Sequence, residues 1–311
     1  MFQFFKRKQE KQSLPEWASF FKENEYDEFL NAIEDYFKKR KLNYKFDDGV
    51  VIVENNELGY NNLGLTNVSQ MCKQNELTHY KTIVSDFFDS MARSHQFETE
   101  FNKIVSDYDK VKEYIGVRLY PNDYLAQIGK ENTIGKDFSG DIYAMVVYDL
   151  PDTVMNIQPA HFKVWNKTLD EVLEEGIKNI KSKYTSRITQ EKFGEFKIWF
   201  VNGDHFFAPN IVFDFHNQKH LIGSKGALIG IPHRHSVIIY PIENLEVVKV
   251  VNAIVPAIYG MNQEGPGSIS NNLFWYSNGH FENLPYTIEN SKFQFHPTEN
   301  FVEILNTLEI G

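Results

Sequence analysis

Apolar residues recur at helical spacing through the first third of the chain. Trp17, Phe20, Phe21, Tyr26, Phe29, Leu30, Ile33 and Phe37 form one stripe, broken near Asn24, and that period predicts amphipathic helix. Ser13 and Glu16 stand at capping-box spacing, with Pro15 where an early helical turn tolerates it. Lys38-Lys39-Arg40-Lys41 closes the stretch, where cations complement the helix dipole. Asp47-Asp48-Gly49 reads as a turn before a short apolar strand at 50–53, and residues 58–64 read as loop. A second helix is predicted over about 78–101, with Tyr80, Ile83, Phe87, Phe88 and Met91 on one side.

From about Val117 the pattern shortens into strands. Residues 117–120 precede Pro121, 128–140 form a polar connection, and 142–148 read as a buried strand. Thr168 and Glu171 repeat the capping-box spacing ahead of Leu173, Ile177 and Ile180. Strands follow at 196–201, 227–231 and 236–240, the last two separated around Pro232. Asn244 is a candidate N-cap for a helix carrying Val248, Val251 and Val255, which Pro256 is expected to end or kink. Asn278-Gly279 between two β-rich runs predicts a hairpin. The expected fold is α+β, with a mainly helical region over 1–115 and a mixed-sheet domain with packed helices over 116–311.

Three stretches of the second part belong together. They are Val117-Arg118 with 143–150, the run Gly226 to Ile239 through Pro232-His233-Arg234-His235, and Gly267-Ser268-Ile269-Ser270 followed by Leu273-Phe274-Trp275-Tyr276 and Gly279 to Pro285. In this order they resemble the YtpQ-like family of uncharacterised bacterial proteins, over about residues 117–288. The resemblance implies an α+β fold and a cytoplasmic bacterial setting; the family has no established activity to carry over.

The chain has 311 residues and a net charge of −10. Such an acidic balance disfavours non-specific nucleic-acid binding, which runs on Lys and Arg, so no nucleic-acid partner is expected. One cysteine, Cys72, permits no internal disulfide, which suits a reducing compartment. The start, Phe2, Phe4 and Phe5 followed by Lys6-Arg7-Lys8, reverses the order of a secretory signal. The apolar run 247–261 is too short for a bilayer span. The expectation is a cytoplasmic protein without a membrane span.

Catalytic signatures are sparse. There is no G-x-S-x-G elbow, no P-loop and no HExxH. Cys72 has no nearby histidine in sequence, and Glu174-Glu175 reads as a solvated helix face. Asp149 and Asp152 flank the end of a buried strand, where capping the turn explains them. The enzyme lead is histidine. His216 and His220 share a face if their stretch is helical, and His233 and His235 share one if theirs is a strand. Together they form a candidate site for a divalent transition metal in a metal-dependent hydrolase. Aromatics make up 15% of the chain, and some, as in His205-Phe206-Phe207 and Phe293-Gln294-Phe295, sit in polar contexts. An exposed aromatic surplus marks an interaction face. The first expectation is therefore a non-enzymatic protein-binding factor of accessory or immunity type, with no catalytic residues and no cofactor; the metal-dependent hydrolase is the alternative.

Overall fold

The structure, a computed structural model, describes residues 14–54, 56, 58–289 and 292–309. Ser13 and the Phe2-to-Lys8 start lie outside them. The chain divides into two compact units, Met1–Arg93 and Ser94–Gly311.

In the first unit a short 3-10 turn at Glu16–Ala18 precedes α1 (Glu23–Lys39). The stripe breaks just before α1, where the Glu25 carboxylate accepts the Lys22 backbone N–H at 2.7 Å and so satisfies a helix-end donor. Three short strands, β1 (Tyr44–Asp47), β2 (Val50–Val53) and β3 (Asn62–Gly64), pair antiparallel in that order. Residues 62–64, expected as loop, gain strand geometry by pairing with β2. Then come α2 (Thr66–Lys73) and α3 (Tyr80–Phe101). Phe29, Ile33 and Phe37 of the α1 stripe bury against Val51, Val53, Tyr80, Val84 and Phe88.

The boundary between units falls inside α3, earlier than the change of texture at 115/116. Phe101, Val105 and Val111 are the reason, because all three belong to the core of the second unit.

That unit continues with α4 (Tyr108–Val111), β4 (Ile115–Pro121), α5 (Asn122–Ile128), β5 (Gly135–Ser139), β6 (Ile142–Asp149), β7 (Val154–Asn156), α6 (Pro159–Val164) and α7 (Leu169–Lys183). Next are β8 (Arg187–Phe193), β9 (Phe196–Asn202), β10 (Ala227–His233), β11 (Ser236–Pro241) and α8 (Val247–Glu264). The chain closes with β12 (Leu273–Ser277), β13 (His280–Leu284), β14 (Tyr286–Glu289), β15 (Lys292–Phe295) and α9 (Glu299–Leu305). The fold is α+β. Among the described strands every pairing is antiparallel, so the expected mixed sheet resolves into a four-stranded sheet around β6, a six-stranded sheet ordered β13-β12-β10-β11-β9-β8, and a β14-β15 ribbon.

Both larger sheets are buried on two faces, which explains their unbroken apolar runs. Val117, Leu119, Ala144 and Val146 of one sheet share a core with Ile229, Val237, Ile239 and Phe274 of the other. The alternate residues face away, as the two-residue strand period requires. Leu228, Ile238 and Leu273 pack on Val251, Ile254 and Ile258 of α8, and Tyr120, Tyr143 and Met145 pack with Ile180 of α7 and Phe207. On this last face Gly116 meets Gly176 of α7 so closely that a Cβ on Gly176 would stand 2.9 Å from the Gly116 carbonyl carbon.

Local signals hold where they were strongest. The Thr168 hydroxyl accepts the Glu171 N–H at 3.2 Å and Glu171 accepts the Thr168 N–H at 2.8 Å. The β12–β13 hairpin turns at Asn278 with φ 50°. Pro232 does not end its strand, and Pro256 does not end its helix. β10 runs through Pro232 to His233, with a register shift there, and α8 continues past Pro256 to Glu264. Pro256 lies on the exposed face, so the carbonyl it leaves without a donor faces water. Among the described residues no helix is long and apolar enough to cross a membrane.

Candidate cationic site

The β10–β11 hairpin closes through only two residues, Arg234 and His235, between the paired His233 and Ser236. Two-residue hairpins favour Asn-Gly or similar glycine-containing pairs, and the same sheet uses Gly194-Glu195 and Asn278-Gly279 for its other tight turns. Arg-His is therefore a turn whose side chains matter more than its backbone preferences. A second loop clamps it. The Arg234 N–H donates to the Gly267 carbonyl at 3.0 Å. Gly267 has φ +72°, and a Cβ there would stand 2.5 Å from Arg234 Cδ, so only glycine fits. The Asn262 side chain donates to the Pro232 carbonyl at 2.8 Å and fixes the strand end from α8.

This clamp directs Arg234 inward. Its side chain is 8% exposed, and its guanidinium carbon lies 4.3 Å from the centroid of the Phe206 ring. Arg118 arrives from β4. It sits on the same strand face as Tyr120, with its guanidinium carbon 4.6 Å from the Tyr120 ring and 5.5 Å from the Phe206 ring. Phe206 is thus shared by two cations. Tyr124 stacks on Tyr120 with centroids 4.8 Å apart. Arg118, Phe206 and Tyr124 are half-buried, so the cluster has an edge open to solvent.

Among the described residues neither guanidinium meets a carboxylate. Arg118 Nε is buried and has no hydrogen-bond partner. Arg234 Nε donates to His235 Nε2 at 3.2 Å. Burial and the neighbouring charge of Arg118 push the Arg234 guanidinium down to about 9, still protonated at neutral pH.

The histidines here are neutral for stated reasons. His235 Nδ1 lies 3.1 Å from the Gly203 carbonyl and must donate to it, which leaves Nε2 as the acceptor for Arg234. Burial and then the charge of Arg234 push His235 down to about 4. His233 Nδ1 accepts the His235 N–H at 3.2 Å, and burial, aided by His235 and Arg234, pushes it down to about 4. His205 Nδ1 accepts the Phe207 N–H at 3.2 Å. Its Nε2, 3.4 Å from the Ser186 hydroxyl, therefore carries the hydrogen and is no base for that serine. Burial lowers His205 as well.

The four histidines of the sequence reading do not converge. His233 and His235 are neighbours, with ring centroids 6.2 Å apart, but His235 lies in the turn rather than on the strand. His216 and His220 lie in and beside 3-10 turns, not on one helix face. His220 stands edge-on to Trp199 at 5.3 Å. His216 pairs with the Asn217 side chain at 2.9 Å, on the rim of a groove of about 480 Å³ walled by Phe138, Phe213, Phe215, Tyr276 and Phe281. Among the described residues no three or more His, Cys, Asp or Glu side chains are placed to hold one metal ion. The aromatics of 205–207 and 293–295 are mostly packed: Phe207 is buried, Phe206 underlies the two guanidiniums, and Phe293 and Phe295 pack against the α8 core.

Arg118 and Arg234 are the residues that motif reasoning passes over. Their signal is compositional. The chain holds only six arginines against 26 lysines, yet both cations drawn into this cluster are arginine, Arg118 inside a run that reads as strand and Arg234 between two such runs. The three stretches that carry the family resemblance contribute Arg118, the His233-Arg234-His235 turn and Gly267, and the fold brings them to this one place. No protein-family model, curated protein or solved structure matches the chain, so the resemblance to the YtpQ-like family rests on those residues.

Proposed function

We propose that the chain is a recognition protein, not an enzyme, and that its second unit binds an anionic group between Arg118 and Arg234. One observation carries this reading: two guanidiniums share a single aromatic ring, and among the described residues no carboxylate pairs with either. Bringing like charges together out of water is costly unless an opposite charge joins them. A fold that holds such a pair on a glycine-gated turn spends stability for a purpose, and perturbed buried cations of this kind concentrate at functional sites. Arginine suits the task, since its planar fork matches carboxylate and phosphate oxygens two at a time.

The histidines support recognition over catalysis. His235 commits both ring nitrogens to Gly203 and Arg234, and His205 presents a hydrogen to Ser186. They serve as fixed hydrogen-bond partners and packing, with their ring nitrogens already engaged. The expectation of a partner-binding factor thus takes a narrower form, in which the recognised feature is an anion. A cytoplasmic bacterial setting, with the buried Cys72 reduced, belongs to the same proposal.

Calorimetric titration of the full chain with small anions in chloride buffer tests it. Saturable binding at one site, lost in Arg118→Met, is expected. Heats indistinguishable from dilution for every anion, in a folded protein, would overturn the reading.

A further inference from the structure

The charge balance of the site says what kind of anion completes it. Arg118 and Arg234 bring two positive charges, and among the described residues no carboxylate pairs with either: Asp149, whose charge reaches His205, is engaged by Lys183 and Tyr184, and Asp204 stands in solvent. From β4 and α5 come the phenols Tyr120 and Tyr124, from the hairpin His233 and His235, and from the segment after β9 His205. A carboxylate supplies one negative charge and two oxygens. A phosphate monoester supplies close to two charges and three strong acceptor oxygens. Guanidinium forks match phosphate oxygens two at a time, and Arg118 and Tyr124 are half-buried, so the cluster reaches solvent on that side.

We infer, building on the anion-binding reading, that the group held between Arg118 and Arg234 is a phosphate monoester in its doubly charged form. Its recognition then has a pH signature belonging to the ligand. His233 and His235 titrate near 4 and Arg234 near 9, so the hairpin's own charge is constant between pH 5.5 and 7.5, and burial lowers His205 as well. The second ionisation of a monoester falls near pH 6.

The test is calorimetric titration of the full chain with phenyl phosphate, inorganic phosphate, sulfate and acetate. At pH 7.5 phenyl phosphate is expected to bind at least tenfold more tightly than acetate. Between pH 7.5 and 5.5 its affinity should fall about fourfold, following the fraction of dianion set by that ionisation, while sulfate stays level. Arg118→Met should weaken phenyl phosphate at least tenfold. That variant changes a half-buried edge residue, so it is chosen over the buried Arg234. Tighter phenyl phosphate than inorganic phosphate would support the inference; inorganic phosphate binding as tightly or more tightly would assign the site to free phosphate and overturn the monoester. Acetate binding as tightly as phenyl phosphate, or a phenyl phosphate affinity flat with pH, would overturn the inference and leave the anion-binding reading standing. Absence of binding by all four anions would overturn both.

Discussion

Replacing Arg118 with methionine should leave the unliganded protein at least as stable while removing its affinity for anions. The two guanidinium carbons lie 5.5 and 4.3 Å from one ring centroid, so they are within roughly 10 Å of each other. Two unit charges at that separation repel by about 1.7 kcal/mol at an effective dielectric constant near 20. Water at the half-buried edge of Arg118 reduces this to about 1 kcal/mol. Relief of the unpartnered Arg118 Nε adds at least about 1 kcal/mol. Opposing these gains, the contacts with the Tyr120 and Phe206 rings are lost, at about 0.5–1 kcal/mol each. Methionine replaces most of the arginine stem and adapts to the space. The net expectation is a stabilisation of about 0–1 kcal/mol, equivalent to no more than roughly 4 °C in Tm for a unit of this size. Urea unfolding in chloride buffer reads it, with tryptophan fluorescence as the probe, because three of the four tryptophans (Trp165, Trp199 and Trp275) lie in the second unit. A variant destabilised by more than 1 kcal/mol would show that Arg118 is a structural residue and would refute the reasoning.

Gly267→Ala should cost about 1–3 kcal/mol, since it combines a positive φ with a Cβ 2.5 Å from Arg234; it should also weaken anion binding, and unchanged urea midpoint and affinity would contradict the clamp. Acid should destabilise the second unit through His233 and His235, whose folded values near 4 lie below the ordinary 6.5. As pH falls below about 6.5 the unfolded chain takes up protons that the folded chain refuses until about 4. Stability is therefore full above 6.5 and declines down to about 4, by at most about 1.4 kcal/mol per pH unit for each histidine. Urea midpoints at pH 7.5, 6.0 and 5.0 measure this, and His235→Asn should shrink the slope. Cys72 is fully buried, with burial pushing its thiol up to about 12; a thiol reagent should label it only on unfolding, and labelling at native rates typical of exposed thiols would contradict that burial.

What could be read from the chain was local. The Thr168–Glu171 box, the Asn278-Gly279 turn and the buried run of β6 are each specified by neighbours in sequence, and each forms. β5 escaped the pattern because it is a partly exposed edge strand whose geometry comes from pairing with β6, not from its own residues. Pro232 and Pro256 misled for a related reason: a bulge and a water-facing carbonyl absorb the missing donors, and both are tertiary facts. The site was the least legible part. Arg118 and Arg234 are far apart in sequence, and only the segment after β9, packed on the Tyr120 face of β4, places Phe206 where both guanidiniums reach it. Motif spacing drew attention to the histidines instead, which the hydrogen bonds turn into supports for Arg234.

The guanidinium Nε–H signals of Arg118 and Arg234 in a nitrogen–proton correlation spectrum, followed as phosphate is added at constant ionic strength, interrogate the unpaired cations themselves. The account predicts that these two signals, among six arginines, move together and saturate at one bound anion per chain. Two signals that stay fixed while the protein remains folded, or that drift without saturation like the exposed arginines, would contradict it.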